Sequence, residues 1–269
     1  MDFNDFLTGI QLMPQAIKVI NNSNITEEEY QQNRKLFQKN REEFFRVINN
    51  KADFREQFLY YYTHMACETY TYYKNNHISE EIYFATFQDI TLWCKDCKER
   101  YGVYGIDEYQ WLFRHIEAKI FRLGSLQFER ALADCFIRYK GEQINPGDEV
   151  IHIHIPNGAN LTKEAVEDSF KQAIEFFGSN NLFVCHSWLL YPDLTKLLNE
   201  DSNILRFQTY FDLYRIDYSE RQAEERIFKA IREDISLYPE RTSLQRKAKQ
   251  YLLAGKRLGL GFGIYKLNR

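Results

Sequence analysis

Apolar and aromatic residues recur at helical spacing through the first 118 residues. Thr26 precedes three glutamates, and a hydroxyl cap followed by carboxylates in the first turn predicts the start of a helix. Further helices are predicted from about Asp53, from Ser79 and from Asp107. We therefore expect residues 1–118 to form a helical bundle. The helix after Ser79 carries apolar residues at alternating steps of four and three, which is typical of a helix that packs against others: Tyr83, Phe87, Ile90, Cys94 and Cys97.

From about residue 120 the pattern changes to short strands that alternate with helices. Residues 121–139 predict two strands joined at Gly124, and residues 142–147 predict a turn. The side chains of residues 150–155 alternate between two faces, which predicts a strand. A helix capped near Thr162 and closed by Gly178 is predicted next, followed by a strand over residues 182–190. Further along, the chain predicts short helices near 192–208, a strand near 210–216, helices across 219–233 and 241–254, and a final strand over 259–267. This alternation predicts a mixed α/β domain.

Composition and charge exclude several classes of protein. The chain has 269 residues, 44% of them hydrophobic, and a formal net charge of −3, so we expect a globular protein that binds no nucleic acid. No apolar run is long enough to span a membrane, and the first ten residues, MDFNDFLTGI, do not have the pattern of a signal peptide. Five cysteines at scattered spacings do not predict a disulfide framework. A cytoplasmic protein is the expectation.

Three histidines on predicted strands are the main candidates for chemistry. His152 and His154 are two residues apart on one strand, so both side chains point to the same face, where they could bind a metal or line a polar pocket. A metal site would need a third ligand, and no acidic residue nearby in the sequence completes a set, so we expect no metal. His186 lies within the apolar segment FVCHSWLL, and an imidazole with its ordinary pKa suits a general base. A hydrogen-bonded core histidine is the alternative.

The cysteines near these segments are weaker candidates. Cys185 and His186 are adjacent on a strand and point to opposite faces, so they cannot form a nucleophile–base pair, and apolar surroundings should raise the pKa of Cys185. Cys94 and Cys97 form a CxxC pair in the middle of a predicted helix without a second pair, which favours core packing.

A glycine-rich segment, residues 255–263, precedes the predicted last strand. It contains Lys256-x-x-Gly259-x-Gly261, which is similar to the loop that binds the CoA pyrophosphate in GNAT acyltransferases, but here the glycines lead into a strand instead of a helix. A strand face without side chains indicates the close approach of a ligand or of another backbone segment, and we favour the backbone.

Several longer segments make the resemblance more specific. The C-terminal half resembles a family of bacterial acyltransferases that have a helical N-terminal domain and a GNAT-like C-terminal domain. The similarity in order and spacing spans about residues 110–215. The matching segments are IFRLGSLQF at 120–128, HIPNG at 154–158, CHSWLLYP at 185–192 and DSNILRF at 201–207.

This resemblance implies an α+β or mixed α/β fold. A helical domain, 1–119, would pack on a GNAT-like domain, 120–269, that contains a central mixed sheet. It implies acyl transfer from acyl-CoA or acetyl-CoA to a small-molecule or peptide amine, without a metal, without membrane insertion and in an oligomeric state that the sequence does not define. Backbone N–H groups would stabilise the oxyanion. The expected catalytic residues are His186 as base, His154 as second choice and Ser187 in a polar role, and the expected CoA-binding residues are Lys256, Arg257, Gly259 and Gly261.

Two other functions stay open at this stage. A non-catalytic GNAT-like domain could bind an acyl ligand, a peptide or a partner protein. A metal-dependent hydrolase or oxygenase could be built on His152, His154 and His186. Metal content separates the second alternative from acyl transfer, and an activity screen against amines separates the first.

Overall fold

The computed structural model describes residues 1–139 and 141–265, and the chain divides into two compact units, Met1–Leu123 and Gly124–Arg269. The first unit is helical, as predicted, and ends on the short strand β1, Ile120–Leu123. Its helices, all within described residues, are α1 Phe3–Gly9, α2 Pro14–Asn21, α3 Glu27–Lys39, α4 Arg41–Asn49, α5 Phe54–Asn75, α6 Glu80–Tyr101 and α7 Tyr109–Ile116.

Side-chain caps fix several of these helix starts. The hydroxyl of Thr26 accepts a hydrogen bond from the Glu29 N–H, and the hydroxyl of Ser79 accepts one from the Ile82 N–H, as the sequence predicted. Asn40 caps a separate helix, α4, that the sequence did not distinguish from its neighbours. The prediction that a helix begins at Asp107 is wrong by two residues, because Glu108 is the residue before the first helical turn of α7.

The core of the first unit is built largely from aromatic rings. Phe58 of α5 and Tyr109 of α7 stack with their centroids 4.2 Å apart, and Tyr83 of α6 packs edge-on against Phe87 at 5.0 Å. Such contacts stabilise a wide helical core through area and ring geometry. The high aromatic content is therefore used for packing in this unit.

The second unit contains the mixed sheet. Among the described residues, five strands of this sheet lie within the second unit, in the order β2-β5-β6-β8-β7, in which β5 and β6 are parallel and the other neighbours are antiparallel. A separate antiparallel pair is formed by β3 and β4. The elements are β2 Leu126–Leu132, β3 Ile137–Tyr139, β4 Glu142–Ile144, β5 Glu149–His154, α8 Lys163–Phe177, β6 Phe183–Ser187, α9 Asn203–Gln208, β7 Phe211–Asp217, α10 Gln222–Phe228, α11 Ser243–Leu253 and β8 Leu260–Tyr265.

Three strand predictions are corrected. Residues 121–139 form three strands, and residues 142–144, predicted as a turn, pair with β3. Strand β6 ends at Ser187 instead of continuing to 190, because the Ser187 hydroxyl accepts a hydrogen bond from the Leu189 N–H and begins a 3₁₀ turn. The predicted end of the last strand, at 266–267, lies outside the described residues.

The two faces of this sheet differ in character. Helix α8 covers one face, where Phe170 stacks on Tyr265 with centroids 3.8 Å apart and contacts Phe128 edge-on. The opposite face carries the three strand histidines. Part of it is covered by an apolar cluster that includes residues of β3, β5, β6 and β8: Ala133, Ile137, Val150, Val184 and Ile264.

No helix within the described residues is long and apolar enough to cross a membrane.

Candidate active site

His152, His154 and His186 lie together on the sheet face opposite α8. The ring centroids of His152 and His154 are 4.3 Å apart, and those of His152 and His186 are 4.5 Å apart. All three residues are largely but not completely buried. Strands β5 and β6 are both central strands of one sheet, and His186 is partly buried there.

Strand register explains why the histidines meet. His152 pairs with Val184 and Ile153 with Cys185 in the parallel β5–β6 ladder. Because side chains alternate along a strand, His154 and His186 follow on the same face, one step beyond the last pair. The backbone N–H of His186 donates a hydrogen bond of 3.3 Å to Nε2 of His152, so this nitrogen carries no proton.

Glu129 joins the cluster from β2, and the sequence analysis missed it. It lies directly across the antiparallel ladder from His152, and its Oε2 is 2.8 Å from Nε2 of His154. Glu129 and His154 are 25 positions apart in the chain, so the pairing of β2 with β5 is what brings them together. Both side chains are more than four-fifths buried, with exposures of 13% and 18%.

Glu129 removes the reason given above for expecting no metal. Its carboxylate, His152 and His154 offer ligand atoms that all lie within 4.8 Å of one another, so a third residue of suitable type is present. In this structure the carboxylate of Glu129 is already engaged with His154.

Tyr214 is a second residue that the sequence analysis missed. Its hydroxyl lies 2.9 Å from Nε2 of His186. A register shift between Leu213 and Arg215 interrupts the β7–β8 ladder around Tyr214. Burial raises the pKa of Tyr214, so the phenol stays protonated at neutral pH.

His186 does not keep the ordinary pKa of an imidazole. Burial lowers the pKa of His186 to about 4. The Asp134 carboxylate opposes this shift, while the positive charge of Arg215 and the neighbouring His154 add to it. The ring also packs on Phe262, with centroids 4.1 Å apart. His186 is therefore neutral at pH 7 and a weaker proton acceptor than the sequence suggested.

Cys185 and Ser187 lie on strand positions that point away from the histidine face. Burial raises the pKa of Cys185, which points to the α8 side, and it also raises those of Cys94 and Cys97, to about 12 and about 11. These cysteines are buried, in agreement with the core packing expected of the CxxC pair. Ser187 is buried and serves as the cap after β6.

The glycines before and within β8 lie close to the chain itself. A Cβ atom on Gly261 would lie 2.4 Å from the carbonyl oxygen of Leu190, and one on Gly259 would lie 3.1 Å from that of Asp217. Arg257 lies in the loop before β8, where its guanidinium donates to the carbonyl of Tyr218, and the neighbouring Lys256 ammonium is 5.1 Å from the Tyr251 ring centroid.

The pairing of β5 with β6 ends close to the carboxyl ends of both strands. The strands pair up to Ile153 and Cys185, after which β5 leads to Pro156 and β6 turns into its 3₁₀ segment. Helix α8 connects the two strands, and it begins at Lys163 without a side-chain cap. In open α/β sheets, ligands bind at the carboxyl ends of parallel strands, and helix N-termini there attract phosphate groups.

Comparison with known protein families assigns the chain. A family model described as the N-acyltransferase N-terminal domain matches residues 1–118, and a model described as the GNAT-like C-terminal domain matches residues 120–265, more than half of the chain. The chain belongs to the GNAT-like C-terminal domain family. The resemblance inferred from the sequence segments is thereby confirmed, and so is the mixed α/β fold with a helical N-terminal region.

Solved structures share this fold over nearly the whole chain. An acyltransferase in complex with decanoyl-CoA and teicoplanin matches with a TM-score of 0.79 and 20% identity, covering 98% of this chain and 87% of that one. An acyltransferase in complex with CoA and 10C-teicoplanin gives the same values, and an acyltransferase mutant with octanoyl-CoA gives a TM-score of 0.78 at 20% identity with the same coverage. No curated protein matches the sequence.

Proposed function

We propose that this chain is an N-acyltransferase that transfers an acyl group from acyl-CoA to an amine. The observation that carries the proposal is the position of the histidine cluster. His154 and His186 lie one residue past the last β5–β6 pair, at the carboxyl ends of the two parallel strands, and His152 contacts His186 from within the ladder. Family membership and the acyl-CoA complexes of the structural neighbours support the same reaction class.

The donor would lie between the carboxyl ends of β5 and β6, with its phosphates at the start of α8. The loop before α8 contains Gly158 at φ 74°, and a backbone of this kind can approach a phosphate closely. We favour this position over Gly259 and Gly261, because the space beside Gly261 is taken by the Leu190 backbone. Lys256 and Arg257, the other residues expected to bind CoA, contact tyrosines of their own unit.

The reaction needs one proton to move from nitrogen to sulfur. The amine nitrogen attacks the thioester carbonyl carbon, a C–N bond forms, the C–S bond breaks, and the amine proton finally resides on the CoA thiol. We assign His154 as the residue that takes this proton and returns it to the thiolate. His186, with its pKa lowered to about 4, is the second choice, and Ser187 is left with a capping role.

The structural neighbours supply a first acceptor class to test. Two of their structures contain teicoplanin or 10C-teicoplanin, so an amine on a glycopeptide is the first acceptor to test. Acetyl-, octanoyl- and decanoyl-CoA should be incubated with the protein and a panel of glycopeptide, amino-sugar and peptide amines, while release of the CoA thiol and acylation of the amine are followed. Acylated product in proportion to released thiol is the expected result. Donor binding without transfer to any amine would favour the non-catalytic binding domain.

A further inference from the structure

Glu129 and His154 form a carboxylate–imidazole pair at the point where the proposed donor thioester would lie. The carboxylate comes from β2 and the imidazole from the last residue of β5, so two hydrogen-bonded strands hold the pair. Gln127 is the residue across the ladder from His154, and Glu129 lies across from His152, so the Glu129 side chain reaches His154 diagonally along one face. The Oε2–Nε2 distance of 2.8 Å is that of a charge-assisted hydrogen bond.

We propose that Glu129 is a positioning residue that fixes the tautomer of His154 and thereby makes Nδ1 the atom that takes the amine proton. An ionised carboxylate only accepts hydrogen bonds, so Nε2 of His154 must carry the hydrogen that Oε2 accepts. In the neutral imidazole the lone pair then lies on Nδ1. When Nδ1 takes a proton, the adjacent carboxylate stabilises the imidazolium, and the same proton leaves Nδ1 for the CoA thiolate.

The two neighbouring imidazoles, His152 and His186, have different hydrogen-bond partners from that of His154. His152 accepts the His186 N–H on Nε2, so the proton of neutral His152 is on Nδ1, the reverse of His154. His186 contacts a phenol hydroxyl instead of a carboxylate, and its positive form is disfavoured by burial. Among these three histidines, His154 is the one that combines a carboxylate partner with a position at the end of β5.

The inference rests on the proposed function, and it is tested with Glu129→Gln, Glu129→Asp and the control Glu149→Gln. In Glu129→Gln the amide oxygen would still accept the Nε2 hydrogen but would lack the charge, whereas Glu129→Asp keeps the charge on a shorter side chain. Glu149 is an exposed carboxylate at the start of β5, so its substitution removes one negative charge from a strand of the site without contact with the cluster. Circular dichroism and the unfolding midpoint confirm that each variant is folded.

We expect Glu129→Gln to lower kcat by at least about tenfold, and by no more than the roughly 10²–10⁴-fold that loss of the base itself causes. The KM for the donor should not change, the acid limb of the rate–pH profile should move to lower pH, and Glu129→Asp should recover part of kcat. Glu149→Gln should match the wild type. A Glu129→Gln variant with wild-type kcat and an unmoved profile would overturn the inference while leaving acyl transfer intact. If the wild type itself transfers no acyl group, the proposed function has failed instead.

Discussion

Nε2 of His186 lies 2.9 Å from the hydroxyl of Tyr214, which joins the two residues across the width of β8. Phe262 of β8 packs beside them, with its ring centroid 4.1 Å from that of His186 and 3.7 Å from the Arg215 guanidinium carbon. The partly buried imidazole of His186 stays neutral at pH 7 in these surroundings.

Stability should fall in acid because His186 resists protonation in the folded protein. Its folded pKa is about 4, whereas a histidine in an unfolded chain titrates near 6.5, so the unfolded state binds more protons between these values. The contribution of His186 to the free energy of unfolding is complete above about pH 6.5 and is lost progressively as the pH falls towards 4. The loss reaches about 2–3 kcal/mol at pH 4.5. His186→Asn should remove this part of the pH dependence.

Urea unfolding of the wild type and of His186→Asn at pH 7.5 and pH 4.5 measures the difference. His77→Asn, at an exposed histidine of the helical unit, is the matched control, because asparagine tolerates its φ of 57°. If the wild type and His186→Asn lose equal amounts of stability between pH 7.5 and pH 4.5, His186 titrates normally in the folded state.

His154→Asn should reduce turnover more than donor affinity. A group that takes the proton in the transition state affects kcat, and loss of a true general base lowers kcat by about 10²–10⁴-fold. The dissociation constant for acyl-CoA should stay at the wild-type value. Steady-state rates and donor titrations of His154→Asn, His186→Asn and the control His77→Asn make the comparison. A larger kcat loss in His186→Asn than in His154→Asn would reverse the assignment of the base.

Acyl transfer should not depend on a metal ion. Glu129 and His154 are hydrogen-bonded to each other, and Nε2 of His152 accepts the His186 N–H, so a metal would have to displace both interactions. Protein purified without a His tag should contain substoichiometric zinc, iron and manganese by mass spectrometry, and EDTA should leave its rate unchanged. One ion per chain, removed together with activity by EDTA, would instead support the metal-dependent alternative.

Gly261→Ala should destabilise the protein without a specific effect on donor binding. The added Cβ would lie 2.4 Å from the Leu190 carbonyl oxygen, which requires the backbone to move. Overpacking of this kind destabilises by about 1–3 kcal/mol. The unfolding midpoint and the acyl-CoA dissociation constant should be measured on the same sample. A variant with wild-type stability and weakened CoA binding would show that this glycine face binds the donor.

Local sequence signals predicted much of the fold. Thr26 and Ser79 cap helices as expected, and the alternation around His152 and His154 correctly predicted one shared face. Cap residues and strand period act over a few positions, so they can be read from the sequence. The end of β6 could not be read from the sequence, because the Ser187 hydroxyl and the following turn interrupt an apolar run that otherwise continues.

In the candidate site, the histidines could be predicted from the sequence, but their partners Glu129 and Tyr214 could not. The histidines have a period that the sequence displays, but Glu129 and Tyr214 reach them through strand pairing across 25 and 28 positions. Glu129 is one charged residue among many on a strand whose partner is unknown before folding. The lowered pKa of His186 likewise depends on burial by distant residues such as Phe262.

Donor binding to the native protein shows whether the chain uses acyl-CoA as its donor. Isothermal titration with decanoyl-, octanoyl- and acetyl-CoA, paired with thermal unfolding at the same concentrations, requires no knowledge of the acceptor. We expect one site per chain and stabilisation that grows with donor concentration, about 2.7 kcal/mol at a hundred times the dissociation constant. Absence of both heat and stabilisation with millimolar CoA and every acyl-CoA would contradict it.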